Sequence, residues 1–371
     1  MRQPMLLVIA VLLGIFLSGG CKHAGGDSAV SSVMQPTHSK SVRVRIATMN
    51  LFLQRSDKNA AASADARLHA FPKALAATHA DIIFVQELWS ADDRAFFEAA
   101  MTSLGYRVVS KDDSSLKRTI ATMAGYSGLY SNGLAIFVRL QFAEILGPPR
   151  FVEFSDTLNY DNYAHKGVLS TTIRVPGLGT IDLVTTQTSY RNFDRKTGDF
   201  TPDGRQVLDD QIRTILTAMD AGTGTLKIFG GDLNTHPFAW QAAKQQFSSS
   251  IHSEVYQILL TEGHLADAIE LAKTPCWPRC ATWSNTKNTQ IKRGLKVSGG
   301  PDISGYAPDS QIDYVMLKPA SRLQSAHSQM ILTQPMSLEM QDDNHGAAPP
   351  EMLHLSDHFG WLVELELTGG P

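Results

Sequence analysis

Five strand-like runs in this chain carry polar residues at one end, and the end differs between them. VRVRIATMN (42–50) alternates Val42, Val44 and Ile46 against Arg43 and Arg45 and ends at Asn50, the period-two pattern of a half-buried strand. DIIFVQE (81–87) is a continuous apolar run ending at Glu87, as in a strand covered on both faces. LKIFG (226–230) leads through a second glycine to Asp232. By contrast, QIDYVML (311–317) and HFGWLVELEL (358–367) carry Asp313 and His358 at their N-terminal ends. If the polar residues meet, the last two strands must run antiparallel to the first three. The implied sheet is mixed, which excludes an all-parallel nucleotide-binding fold, and neither a GxGxxG nor a GxxxxGK[ST] stretch occurs.

Further strands are expected at NGLAIFVR (132–139), GVLSTTIRV (167–175) and TIDLVTTQT (180–188). Helices are expected at Ala64–His79, with a kink at Pro72, and at Ala91–Ser103. A third lies before residue 220, where Leu208, Ile212, Ile215, Leu216 and Met219 share one face; Asp203 and Gln206 have capping-box spacing there. Residues 274–310 are rich in Gly, Pro, Ser and Asn and predict a long irregular excursion, which in a compact domain is more often functional than idle. With 43% hydrophobic and 19% charged residues, the chain has ample apolar material for one large core. Its net charge of -3 argues against a partner held by non-specific phosphate neutralisation.

Ahead of the first strand, Arg2 supplies a positive n-region and Met5 to Leu17 an apolar segment too short to span a bilayer comfortably. Residues 1–21 therefore read as a secretory signal. LSGGC (17–21) resembles a bacterial lipoprotein processing site with Cys21 acylated, although such sites usually place the Leu one position closer to the Cys. An ordinary cleaved signal is the alternative. Residues 22–40 are small and polar and suit a flexible tether, so the folded domain is expected over 41–368. The expected location is extracytoplasmic: outer-membrane or cell-surface lipoprotein, periplasmic, or secreted. Cys276 and Cys280 of CWPRC fit a disulfide in such an oxidising compartment. Zinc is the weaker reading, because two ligands do not complete a site.

Asn50, Glu87, Asp232, Asn234, Asp313, Asp357 and His358 together supply oxygen ligands, amide donors and one imidazole. That set suits phosphate ester hydrolysis. A hard cation such as Mg2+ binds through one or two carboxylates while keeping several waters, so Glu87 with Asn50 or Asp357 suffices; Mn2+ is the alternative ion. His358 suits a general base, because imidazole titrates near neutrality and a carboxylate such as Asp313 can fix its tautomer. A serine nucleophile is less attractive without a GxSxG elbow. His236, in GGDLNTHP, is followed by Pro237, which suggests the start of a helix, and is expected to cap or pack; Asp and Asn after Gly-Gly also read singly as turn residues.

TMN (48–50), QE (86–87), GDLN (231–234), IDY (312–314) and SDH (356–358) occur in the order seen in the endonuclease/exonuclease/phosphatase superfamily of metal-dependent phosphodiesterases, and the resemblance spans about residues 42 to 368. Within that superfamily the chain looks most like neutral sphingomyelinases. QELWSADD (86–93), SNGLAIF (131–137), HKG (165–167) and GDLNTHP (231–237) resemble their corresponding segments. The resemblance implies an α/β (α+β) four-layer sandwich, two packed mixed β-sheets flanked by helices, as in deoxyribonucleases. It also implies that Glu87 is the principal metal ligand with Asn50 beside it. By the same token Asp232 orients the attacking water, Asn234 holds a phosphate oxygen, His358 is the base and Asp313 orients it. One departure stands out: VTTQTSY (184–190) has Gln187 where such enzymes usually carry the His of a Thr-His-Leu stretch. Gln donates a hydrogen bond but carries no proton at neutral pH, and Tyr190 and Asn192 are candidates to share the role.

Lys166 is a candidate phosphate contact, with exposed loop placement as the alternative. Trp277 and Trp283 are expected as core anchors of the disulfide loop or as lipid-interface aromatics. Lys287, Lys292, Arg293 and Lys296 read as a solvated face or as contacts to anionic headgroups or a nucleic-acid backbone. The expected function is an exported Mg2+-dependent phosphodiesterase that releases the phosphorylated headgroup of sphingomyelin or a related phospholipid at a membrane surface. The alternatives are an extracytoplasmic nuclease of the same superfamily and a non-catalytic surface binding protein on this fold. No obligate protein partner is evident.

Overall fold

The computed structural model describes residues 41–369 apart from 56–60, 62, 112–130, 159–160, 163, 191–192, 195–198, 201, 242–243, 245, 278–279, 285, 298–308 and 342–346. The expected signal, Cys21, the tether and Asn192 lie outside the described residues. In chain order the strands of the two main sheets are β1 (Ser41–Leu53), β2 (Ile82–Leu88), β3 (Tyr106–Val109), β4 (Ala135–Arg139), β5 (Glu144–Glu153), β6 (Gly167–Val175), β7 (Gly179–Gln187), β8 (Leu226–Asp232), β9 (Ala266–Asp267), β10 (Asp313–Lys318), β11 (Leu323–Ile331) and β12 (Gly360–Thr368). The main helices are α1 (Ala64–Ala76), α2 (Ala91–Ser103), α3 (Pro202–Asp220), α4 (Glu254–Thr261) and α5 (Thr289–Val297).

The first sheet has the order β11-β12-β1-β2-β4-β3 and the second β9-β10-β8-β7-β6-β5. Both are mixed. β1 runs parallel to β2 and antiparallel to β12, and β8 runs parallel to β7 and antiparallel to β10. The opposed polar ends of the strands thus converge as the sequence requires.

Three apolar layers explain the stacking. Val44, Ile46, Ile82, Phe84 and Ile136 of the first sheet meet Leu169, Leu183, Ile228, Val315 and Leu317 of the second between the sheets. The opposite face of the first sheet, with Met49, Ile83, Val85 and Phe137, buries Leu68, Phe71 and Leu75 of α1 and Phe97 and Met101 of α2. Val184, Phe229, Tyr314 and Met316 of the second sheet pack against Leu208, Ile212, Ile215 and Met219 of α3 and Tyr256 and Leu259 of α4. The continuous apolar reading of β2 follows from this arrangement, since the strand is covered by a helix on one face and by a sheet on the other.

Local departures have physical causes. α1 continues through Pro72 and ends at Ala76, short of the expected His79. α3 starts at Pro202, so Asp203 lies inside the first turn and is not the cap; proline's fixed φ favours that first helical position. The 274–310 segment is not wholly irregular, for it contains α5 and a Cys276–Cys280 disulfide. Trp277 packs on the core and against Phe238, at 5.9 Å between ring centroids. Among the described residues, no helix is long and apolar enough to cross a membrane.

Candidate active site

The two glycines ahead of Asp232 lie inside β8 and are not a turn. A Cβ on Gly230 would meet the Phe84 ring at 2.1 Å, and one on Gly231 would meet the Thr186 carbonyl at 2.4 Å. The missing side chain of Gly230 lets Phe84 of the first sheet close on the second just before the site, and that of Gly231 leaves room for the Thr186 carbonyl of the paired strand β7. The strand then delivers Asp232 opposite Gln187 of β7 and Asp313 of β10, so three functional side chains stand side by side by register alone. The turn reading holds one step later: Asn234 adopts φ 46°, a conformation Asn tolerates, and its N–H donates to Asp232 Oδ1 at 2.8 Å, so that Asp232 makes the side-chain-to-backbone bond of a turn.

The first sheet reaches the same seam by breaking its ladder. β1 and β2 pair regularly to Asn50–Gln86 and next at Leu53–Leu88, so Leu51 and Phe52 bulge opposite Glu87. Phe52 and Glu87 take φ 52° and 60°, left-handed values that cost on the order of 1–3 kcal/mol each and cluster at functional sites. Bulges of this kind re-aim side chains. Here the bulge returns the Phe52 N–H to Asn50 Oδ1 at 3.0 Å and leaves Asn50 Nδ2 to donate to Glu87 Oε1 at 2.8 Å and to Asp232 Oδ2 at 3.1 Å.

Gln187 repeats that bridge from the other sheet, with Nε2 donating to Glu87 Oε1 at 2.6 Å and to Asp232 Oδ2 at 3.3 Å. Two amide groups therefore hold two like-charged carboxylates together. Glu87 Oε2 is buried with no hydrogen-bond partner among the described residues. An unsatisfied buried carboxylate oxygen is costly, and beside other oxygen donors it fits a hard divalent cation. Asp357, whose side chain is 17% exposed, is the next carboxylate, and burial followed by the neighbouring Glu87 charge raises it to about 7 despite His358.

His358 faces these groups from two residues ahead of β12. Its Nδ1 lies 2.9 Å from Asp313 Oδ2, while Nε2 is 4.0 Å from Asp232 Oδ2 and 3.9 Å from Asp357 Oδ1. Burial opposes its charge, but Asp313, Asp357 and Asp232 outweigh burial and raise its pKa well above the ordinary value. Burial and then the Asp313 charge push Asp232 up to about 6, against the pull of His358. Asp232, Asp313 and His358 are close enough to share an ion. Asp313 and His358 already bond each other, whereas Glu87 Oε2 is an oxygen with no partner among the described residues, the donor type that hard divalent cations take.

The remaining sequence candidates sit around this core. Lys166 is 3% exposed and donates to Thr188 O at 3.0 Å, pairing with Asp161 at 3.1 Å. It is therefore not an exposed loop residue. Asn234 Nδ2 also donates to Thr188 O, at 3.0 Å. Tyr190 is 59% exposed, its N–H held by Asp161 Oδ2 at 2.9 Å. His236 stacks on Phe247 at 3.6 Å, its Nδ1 accepts the Phe238 N–H at 3.0 Å, and burial lowers it to about 4, so it packs and stays neutral.

Two supporting residues escaped the sequence reading. Ser356 Oγ donates to Asn50 O at 2.8 Å and accepts the His358 N–H at 3.1 Å, joining both strand ends. Thr282 Oγ1 accepts the Ile312 N–H at 3.0 Å and the Asp313 N–H at 3.3 Å, while its carbonyl accepts the Phe359 N–H at 2.6 Å. The 274–310 excursion thus fixes the Asp313–His358 pair. The only signals available were their places within SDH and beside CWPRC.

The profile of the Endonuclease/Exonuclease/phosphatase family matches residues 47–358, most of the chain. The chain belongs to that family. Its members are metal-dependent phosphodiesterases and nucleases. Solved structures of similar fold include sphingomyelinase C from Streptomyces griseocarneus, at TM-score 0.58 and 15% identity over 87% of this chain and 99% of that one. A beta toxin from Staphylococcus aureus with bound magnesium ions has TM-score 0.59 and 13% identity over the same shares, 87% and 99%. TDP2 from D. rerio complexed with a single-strand DNA product has TM-score 0.53 and 16% identity over 87% and 98%. At these identities the likeness establishes the fold. No curated protein matches the chain by sequence.

Proposed function

We propose that the protein is an exported, Mg2+-dependent phosphodiesterase that cleaves sphingomyelin or a related phospholipid, releasing its phosphorylated headgroup. The observation that carries the chemistry is Glu87 Oε2, which has no partner among the described residues, beside Asp232 and the Asp313–His358 pair. Support for the lipid substrate comes from the sphingomyelinase-like segments in the sequence and from similar folds that include a sphingomyelinase C. Export rests on the signal-like residues 1–21, with Cys21 as the proposed site of lipidation.

When bound, a divalent cation offsets the charge that builds on the phosphoryl oxygens and the leaving group. Glu87, with Asn50 and Asp357, would hold it. Asp232 orients the attacking water, and His358 Nε2 accepts its proton while Asp313 keeps the imidazole in the matching tautomer. Asn234 and Lys166 stand at the phosphate side, Gln187 holds Glu87 and Asp232 in place through its amide, and Tyr190 is the exposed aromatic at that rim.

A second reading, an extracytoplasmic nuclease, is favoured by the similar fold of TDP2 with its DNA product. One panel separates the two: purified protein with Mg2+ or with EDTA on sphingomyelin, phosphatidylcholine and DNA. Mg2+-dependent release of phosphocholine is expected. Cleavage of DNA but of neither lipid would replace the first reading with the second. Absence of turnover on every substrate by a folded protein would leave a binding protein on this fold.

A further inference from the structure

α1 lays Leu68, Phe71 and Leu75 into the outer face of the first sheet, and on the same buried side it carries one charged residue, Arg67, which is 0% exposed. A guanidinium in that position is tolerated only if its donors are met. They are met by backbone on both sides of the site. Nη2 donates to Phe52 O at 2.9 Å and Nη1 to Leu51 O at 2.9 Å, the two residues that bulge opposite Glu87 and have no register partner in β2 or β12. Nη1 also donates to Leu355 O at 3.2 Å, 288 residues away and just ahead of Ser356, Asp357 and His358. Nε donates to Ser63 Oγ at 3.1 Å, and the Phe52 ring lies 5.5 Å from the guanidinium.

We propose that Arg67 is a positioning residue: its planar fork ties the Leu51–Phe52 bulge, which aims Asn50 and Glu87, to the segment that delivers Asp357 and His358. The inference rests on the metal-dependent reading of the site given above. The mechanism is geometric. Phe52 N–H holds Asn50 Oδ1, so moving the Phe52 carbonyl moves that amide, and moving Leu355 moves the Ser356 hydroxyl that joins Asn50 O to the His358 N–H. Lysine keeps the charge but has a single nitrogen and no fork, so it cannot reproduce three carbonyl contacts from fixed directions.

The test compares the full chain with its Arg67→Lys variant by calorimetric titration with Mg2+ in the absence of substrate, and by kcat and KM on bis(p-nitrophenyl) phosphate. Arg67→Lys is expected to weaken Mg2+ binding and lower kcat, each by roughly tenfold to a hundredfold, as partners behind metal ligands do. KM should move less than kcat, since the substrate's own contacts are untouched. A folded Arg67→Lys protein with wild-type Mg2+ affinity and kcat overturns the proposal. Should that variant fail to fold, Ser63→Ala, which removes one hydroxyl from the same guanidinium, is titrated in its place: weakened Mg2+ binding supports the proposal and wild-type binding overturns it. A wild-type protein that binds Mg2+ but hydrolyses no phosphodiester would break the functional reading alone, because the calorimetric comparison still decides the role of Arg67.

Discussion

The two sheets arrive at the site with the same local plan and finish it differently. In each, a central strand has a parallel neighbour on one side and an antiparallel neighbour on the other: β2-β1-β12 in the first sheet and β7-β8-β10 in the second. The second sheet keeps its ladder to the end, so Gln187, Asp232 and Asp313 are aligned by register. The first breaks its ladder at Leu51 and Phe52, puts Phe52 and Glu87 in left-handed conformations, and leaves Glu87 Oε2 without a partner among the described residues. Regular pairing supplies groups that bond one another, such as the Asp313 that fixes His358. Irregular pairing supplies the group held ready for something that comes from outside. On the proposed reading, the proton acceptor His358 is fixed by Asp313 from the regular sheet, and the cation site at Glu87 is shaped by the bulge of the first. A regular and an irregular edge thus meet at one seam, although both residues belong to the first sheet's side.

Substitutions should separate the two edges. The largest effect is expected for His358→Ala, which removes the base: kcat should fall on the order of 10² to 10⁴-fold, with Mg2+ affinity and the folded circular dichroism spectrum nearly unchanged. Loss of Mg2+ binding in that variant would mean that the edges are not separable. Glu87→Gln should do the reverse, weakening Mg2+ binding by more than about a hundredfold, since it alters a ligand and not merely a partner behind one. Recovery of its turnover at high Mg2+ would sharpen the division.

Acidity should act on both edges in the same direction. Asp232 and Asp357 are raised to about 6 and about 7 without a cation, and protons compete with the ion for the deprotonated form. His358, raised well above its ordinary value, is a base only once deprotonated. Activity should therefore climb as pH rises through 6 and 7 and beyond, and raising Mg2+ should shift the climb to lower pH. A profile that falls over that range would contradict the charge assignments. Ser356→Ala, which cuts the link between Asn50 O and the His358 N–H, should lower kcat by roughly tenfold. His236→Phe is the smallest expected effect: loss of the hydrogen bond from the Phe238 N–H should cost about 1 kcal/mol in chemical denaturation while kcat stays at its wild-type value.

How much of this was legible beforehand depended on whether a feature is local. Strands β1, β2, β8, β10 and β12 announced themselves because apolar runs stop at polar residues, and the mixed sheets followed from which end those residues occupy. The edge strand β5 was missed. Its Gly147, Pro148 and Pro149 are poor strand formers that interrupt any apolar run, and the structure accommodates them where the β5–β6 register shifts, between Leu146 and Arg150, the kind of edge position that tolerates proline. β11, another edge strand, is largely polar and half-exposed and carries no apolar run to read.

Within the site, residue identities were readable from five short motifs, whereas partners were not. Nothing near position 187 says that its amide will bridge Glu87, 100 residues away. Nothing near Lys166 reveals Thr188 and Asp161 as its partners. The bulge was equally hidden, because two residues opposing one is a property of a pair of strands and not of either sequence. His236 was expected to pack or to cap a helix opened by Pro237; a strand, Phe238–Gln241, follows instead of a helix, and His236 packs by stacking on Phe247.

The central claim is that Glu87 serves the cation and His358 serves the proton at one seam between the sheets. It is tested most directly by titrating Mg2+ into wild type, Glu87→Gln and His358→Ala while following hydrolysis of bis(p-nitrophenyl) phosphate. The expected result is saturable activation of wild type that EDTA abolishes, a half-saturation shifted far upward in Glu87→Gln, and a collapsed plateau with unshifted half-saturation in His358→Ala. Wild-type turnover that persists in EDTA, or identical Mg2+ curves for all three proteins, would contradict it.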